Sequence, residues 1–252
     1  AMTSVELNSS KESAAGETGS SKLAVPKVLT AQGDAWVLWQ QMSQPEGTDW
    51  SQNYSDALHM VASLSTEHDF LLQEAFSCLP RPSYFLKNAM EDEQVRKHRV
   101  RSSALMIFRV GVLPEWEHPA NANGGHFEVQ MKPSVGGEQM DIYWGNLVRG
   151  VVGGTIEPSS MITGVRLVDK CAGPKRAQKV RIELWFSEYE EESNDLATLR
   201  KSLEYCLAMR PDGSRGDVPK PDIKSHSAHT KPKLVKGARR TNSEQEAAEI
   251  WQ

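Results

Sequence analysis

Residues 104–131 read ALMIFRVGVLPEWEHPANANGGHFEVQM. Ala104 to Val112 is dense in apolar, β-favouring side chains and predicts a strand. Pro114-Glu115-Trp116-Glu117, His118-Pro119 and the Asn/Gly run at 121–125 predict a loop. From Gly125 to Met131 polar and apolar residues alternate, the period of a strand with two different faces. Strand, loop, strand is the grammar of an antiparallel sheet.

The same signals recur on either side. Ala35–Gln40 (AWVLWQ) predicts a first strand and Tyr84-Phe85-Leu86 a short one. Met161–Val168 and Val180–Phe186 predict two strands joined in hairpin fashion by the basic loop Asp169–Lys179, and Ile223–His226 a last strand. Helices are predicted at Thr66–Leu79, stopped by Pro80 and Pro82, at Glu138–Val152, stopped by Gly153-Gly154, and at Asn194–Met209. Glu91 to Arg101, acidic then basic, predicts an exposed turn or loop. The fold class expected is α+β: a mainly antiparallel sheet covered on one face by about three helices.

Within 252 residues the apolar content is unevenly spread. Residues 1–28 are small and polar and predict a disordered tail, and residues 237–252 a flexible one, leaving 29–236 as one folded domain. The formal net charge of −4 argues against a general polyanion binder. Yet Lys224 to Arg240 carries six Lys/Arg and no acid, either a solvated tail or a phosphate-contacting segment. Three scattered cysteines without CxxC spacing predict reduced thiols in a cytosolic or nuclear protein. No apolar run reaches the length of a membrane span.

Catalytic motifs are missing: no nucleophile elbow, phosphate loop, HExxH or dinucleotide fingerprint. The seven histidines lack metal-ligand spacing, so neither a metal, a cofactor nor an enzyme is expected. What stands out is seven tryptophans among 18 aromatics, and above all Trp116-Glu117. An indole offers a stacking face and an ionised carboxylate only accepts hydrogen bonds, so the pair suits a flat cation bearing N–H donors. Guanine methylated on N7 is such a cation, and its N1–H and exocyclic amine can both donate to one carboxylate. Lys170, Lys175, Arg176, Lys179 and Arg181 could then meet phosphates.

These residues, in this order, resemble the eukaryotic translation initiation factor 4E family of mRNA 5′-cap binders. The resemblance covers about residues 35 to 231. It is carried by Trp36-Val37-Leu38-Trp39, Asp49-Trp50, Gly111 to Glu117 with Asn123-Gly124-Gly125, Trp144, Val180 to Trp185, and Ser225-His226. It implies a curved sheet of about eight strands, three helices on the convex face and a cap pocket on the concave side. It further implies that Trp50 and Trp116 sandwich 7-methylguanine, that Glu117 reads its edge, and that Trp185 closes on the methyl group. Two phosphate-binding basics fall at or near Lys170 and Arg181, although this loop is longer than usual and Lys175, Arg176 or Lys179 could substitute. His226, His229 and Lys231 fall where the family approaches the nucleotides after the cap. The implied partners are capped mRNA (7-methyl-GTP and cap analogues) and a scaffold subunit or related helical peptide on the helix face. The implied setting is translation initiation in the cytoplasm, with the nucleus also open.

The departures lie on that helix face. Leu71 stands where the family has a tryptophan, and Gly145 and Arg149, near Trp144, stand where leucines are usual. A helix-in-groove partner reads apolar anchors, so an arginine there alters the usual mode. The chain is therefore expected to be a divergent member that binds caps; the alternative is a paralogue acting mainly through proteins, or as a repressor, with weak cap binding.

Overall fold

The computed structural model describes residues 35–42, 57–65, 81–89, 102–171 and 179–227. Seven strands are seen among them: β1 (Ala35–Met42), β2 (Leu58–Ser65), β3 (Ser102–Arg109), β4 (Gly125–Met131), β5 (Ile162–Asp169), β6 (Val180–Phe186) and β7 (Asp222–Ser225). Four helices accompany them: α1 (Pro82–Ala89), α2 (Pro119–Ala122), α3 (Gly137–Val152) and α4 (Asn194–Ala208). Their order in the single sheet is β2-β1-β3-β5-β6-β4-β7. Every neighbouring pair is antiparallel. The α+β class therefore holds.

Strand alternation divides the sheet into two faces. On one, Trp36, Leu38, Leu105, Ile107, Phe127, Val129, Val165, Leu167, Ile182 and Leu184 pack against Phe85 of α1, Tyr143, Trp144, Leu147 and Val151 of α3, and Leu196, Leu199 and Leu203 of α4. On the other lie Ala104, Met106, Phe108, Val168 and Trp185, with Trp39, Val112 and Trp116 against them. Helices cover the first face, and Trp116 and Trp185 of the predicted site lie on the second.

Three local expectations need correction, and one strand is unexpected. Tyr84-Phe85-Leu86 is helical, within α1. Pro82 opens that helix with its φ already set, and Ser83 ties it to α3 by donating its N–H (2.8 Å) and hydroxyl (2.7 Å) to the Asp141 carboxylate. Val110 and Gly111 form a turn rather than extending β3; Gly111 has φ 84°, which suits glycine. Pro119–Ala122 is a helical turn, its first N–H capped by His118 Nδ1 accepting from the Ala120 N–H at 3.2 Å. Strand β2 had no sequence signal. Its His59, Met60 and Val61 are all exposed, so no alternation marks it, and its pairing with β1 defines it. The tails expected over 1–28 and 237–252, the helix Thr66–Leu79 and the loop Glu91–Arg101 lie outside the described residues, apart from Arg81 beyond that helix.

One glycine shapes the second face. Gly164 of β5 lies opposite both Phe108 of β3 and Trp185 of β6. A Cβ on it would sit 2.5 Å from Phe108 Cγ and 2.7 Å from the Ile107 carbonyl. The missing side chain lets the Phe108 ring lie across β5 and meet Trp185 edge-on, centroids 5.2 Å apart at 80°. Gly164→Ala should overpack this junction and cost about 1–3 kcal/mol, read as a lower midpoint in urea unfolding with an unchanged slope.

Candidate cap-type binding site

The loop between β3 and β4 carries Trp116 and Glu117, and Asn121 holds it in shape. This asparagine is fully buried within the helical turn α2. Its Nδ2 donates to the Leu113 and Glu115 carbonyls, each at 2.9 Å. Its own carbonyl accepts from the Gly124 N–H at 2.9 Å and lies 2.8 Å from His226 Nδ1. A carbonyl only accepts, so His226 carries its proton on Nδ1 there; its Nε2, 3.0 Å from His126 Nδ1, is then left to accept from that nitrogen. The backbone repeats the tie, since the His226 N–H donates to the Gly124 carbonyl at 3.0 Å. In this way the end of β7 is locked to the Trp116 loop through Asn121 and Gly124.

Trp116 is half-buried and Glu117 exposed. The Trp116 ring lies nearly parallel to His226, centroids 6.4 Å apart at 28°. His226 in turn sits 4.4 Å from the Trp185 ring, and His126 stacks on Trp185 at 5.7 Å and 20°. Trp185 is 1% exposed and donates through Nε1 to Glu183 Oε2 at 2.8 Å. It thus forms the floor of this face, packed against two imidazoles. At 1% exposure it supports the surface from beneath, instead of offering a ring edge to a methyl group as the resemblance implied.

Beside the aromatic group runs a ladder of charges that strand register sets. Glu128 of β4 faces Glu183 of β6, and Glu183 faces Arg166 of β5. Both carboxylate side chains are 1% exposed. Arg181, next along the same face of β6, spans them: Nη1 donates to Glu128 Oε2 at 3.1 Å, and Nε lies 2.7 Å from Glu183 Oε1, an ion-pair contact outside hydrogen-bond alignment. Lys224 adds a contact of 2.8 Å to Glu128, and Arg166 stands 3.9 Å from Glu183 while donating to Gln41 at 2.9 Å. His126, Glu128 and Glu183 are residue types that can ligate a metal. Here the carboxylate oxygens already meet Lys224, Arg181, Gln130 and the Trp185 indole, so the arrangement is an ion-pair ladder.

The structure brings Trp116, Glu117, Trp185, Arg181 and His226 to one region. Lys179 lies at its edge, donating to Gln130 at 2.8 Å, and its carbonyl accepts from the Lys170 N–H at 3.0 Å, which puts exposed Lys170 beside it. His226, expected near downstream nucleotides, is instead buried in the pocket wall. On the far side of the sheet Trp144 is a core residue, 2% exposed, and offers no surface to a partner. Gly145 is buried too. Arg149 is exposed, and its guanidinium lies across Gly145, where an added Cβ would be 3.1 Å from Nη2. Trp50, Leu71, Lys175, Arg176, His229 and Lys231 lie outside the described residues. Sequence reasoning missed Asn121, His126, Glu128, Arg166, Glu183 and Lys224. The alternation in Gly125–Met131 already put His126, Glu128 and Gln130 on one face, but an alternating polar face normally means solvent.

The ladder has a pH signature. The neighbouring His126 imidazole, then Lys224, Gln130 and Arg181, hold the Glu128 carboxyl well below its ordinary value of 4.5, against the opposing pull of burial. Burial also works to raise Glu183, but Arg166 and Arg181 outweigh it and keep that group low. A carboxylate depressed in the folded state stabilises it above the unfolded pKa, and the stabilisation is lost as pH falls toward the folded value. Stability should therefore decline as pH drops below 4.5. Glu128→Gln should lose about 3 kcal/mol or more near neutrality and show a shallower acid decline, both read from urea unfolding as a function of pH.

The sequence model of the family described as Eukaryotic initiation factor 4E matches residues 33–233. Eukaryotic translation initiation factor 4E of Saccharomyces cerevisiae is 29% identical over 179 residues, 71% of this chain and 70% of that protein. The wheat (Triticum aestivum) translation initiation factor NCBP is 31% identical over 131 residues, 52% of this chain and 47% of its own length. Among solved structures, Caenorhabditis elegans eIF4E-3 in complex with the 4E-binding protein Mextli and a cap analog superposes with a TM-score of 0.55 at 18% identity, covering 80% of this chain and 95% of that one. Ascaris suum eIF4E-3 with an m7G cap gives 0.52 at 19%, covering 77% and 89%. At that identity the two structures speak for the fold. The family model spans most of the chain, including every strand described above, and the chain belongs to the eukaryotic initiation factor 4E family.

Proposed function

We propose that the face carrying Trp116, Glu117 and Trp185 binds the 7-methylguanosine 5′ cap of mRNA, and that the protein recruits capped mRNA for translation initiation in the cytoplasm. The observation that carries this reading is the Trp116-Glu117 pair on a loop pinned by Asn121, beside the Trp185 floor. A half-buried indole next to an exposed carboxylate gives a stacking surface and an edge-reading acceptor at neighbouring positions. Stacking contributes roughly 1–3 kcal/mol per base and is nearly blind to identity. Identity comes from the two N–H donors of guanine to Glu117, and the methyl preference from the cationic ring between the indoles of Trp116 and Trp50. Lys170 and Lys179, beside Arg181, are the cations proposed to meet the phosphates. In support, the Ascaris structure of like fold holds an m7G cap. The reading is one of recognition without catalysis.

The helix face is proposed as the docking side for a helical peptide, as the Caenorhabditis relative's complex with a 4E-binding protein suggests. Arg149 lying over Gly145 gives that face a flat guanidinium instead of an apolar ridge.

Titration of the protein with 7-methyl-GTP should quench tryptophan fluorescence at far lower concentration than GTP. Equal response to the two would remove the cation–π sandwich. Glu117→Ala should cut the preference for 7-methyl-GTP over the adenine analogue by about tenfold or more; an unchanged preference would put Glu117 outside the site.

A further inference from the structure

Arg181 stands where a phosphate-binding cation is expected, yet its guanidinium is already committed. It spans Glu128 and Glu183, with contacts of 3.1 and 2.7 Å, and keeps only 20% of its side-chain surface exposed. The remaining cations on this floor share the same two anions. Lys224 sits 2.8 Å from Glu128 and Arg166 3.9 Å from Glu183. Three cations thus face two carboxylates, both buried to 1% side-chain exposure, where water screens them poorly. An incoming phosphate on this floor meets Arg181 and, directly behind it, two negative charges. Lys170 makes no ion pair with another described residue; partial burial of its ammonium, then Arg181 and Arg166, pull its pKa below the ordinary value against the opposing Glu183 and Glu128.

We propose that Glu128 and Glu183 are specificity-determining residues that hold Arg181 on the floor and reduce the contribution of ligand phosphates to binding. The proposal deepens the cap-binding reading and rests on it. The two carboxylates tie the guanidinium in place and offset its charge, so selectivity shifts away from the triphosphate and toward the methylated base and its aromatic platform. A cation so placed serves as framework, because leaving either carboxylate would expose a buried, unpaired charge. Phosphate contacts pass instead to Lys170 and to Lys179, whose ammonium holds only the neutral Gln130 amide among the described residues.

The test compares 7-methyl-GTP with 7-methylguanosine, and the ratio of their affinities isolates the phosphates. The same protein binds both, so a partly unfolded variant leaves the ratio unmoved. Glu128→Gln removes one negative charge while keeping the side chain's size, and the ratio should rise about tenfold, the scale of one unit charge several ångströms away in a partly wetted site. An unchanged ratio overturns the proposal. A second measurement needs no variant. In the wild-type protein the Arg181 guanidinium N–H resonance should stay in place when 7-methyl-GTP replaces 7-methylguanosine, while Lys170 ammonium signals move. A large shift of Arg181 on adding the triphosphate overturns the proposal even if Glu128→Gln does not fold. Failure of the wild-type protein to bind 7-methylguanosine in either form would instead sink the cap-binding reading itself, a distinct outcome.

Discussion

Two carboxylates facing one another across adjacent strands repel, and the repulsion grows as water is removed. Glu128 and Glu183 are in that position, and Arg181 makes the arrangement tenable by lying between them. The aromatic part of the site hangs on the same ladder. Glu183 also holds the Trp185 indole N–H, and Glu128 neighbours His126, whose ring stacks on Trp185 and bonds His226. From His226 the chain of contacts runs through Asn121 to the Trp116 loop. Electrostatics on the floor and stacking above it are therefore mechanically one unit.

The division of labour between the sheet's faces explains how so polar a site can sit in a stable sheet. On the helix side, buried apolar side chains from β1, β3, β4, β5 and β6 and from three helices form the core, with Ala62 of β2 and Ile223 of β7 at its margin. That burial supplies the stabilisation, and the second face can then hold charges whose net value to folding is small. Gly164 marks the join of the two chemistries on that second face: it lets Phe108 reach Trp185, so the aromatic floor is continuous from β3 to β6.

Much of this was legible in the residues. The strand–loop–strand reading of residues 104–131 placed Trp116 and Glu117 on a loop between strands, and the apolar stripes of α3 and α4 were visible at helical spacing. Tyr84-Phe85-Leu86 misled because three β-favouring residues carry no period; Pro82 and the Ser83–Asp141 bonds decide for a helix. β2 left no mark because its middle residues are exposed on both sides. The ladder was hidden for a different reason. Alternating charges on a strand describe a solvated face and a buried one equally well, and only the neighbouring strands' register shows which carboxylate meets which guanidinium. Arg149 was visible as a departure, but its resting place across Gly145 depends on a missing side chain one helical turn away.

The bond from His226 to Asn121 also bears on how the protein is made. Its two ends are 105 residues apart in the chain. During synthesis the strands from β1 to β6 can pair and bury their helices well before β7 leaves the ribosome, since contacts distant in sequence close late. Until then Trp185 lacks His226 against its ring, and the Trp116 loop lacks its outer tie. This face is thus completed by β7, which follows the other six strands in the chain, so the sheet from β1 to β6 can pair before the contacts around Trp185 and the Trp116 loop are closed.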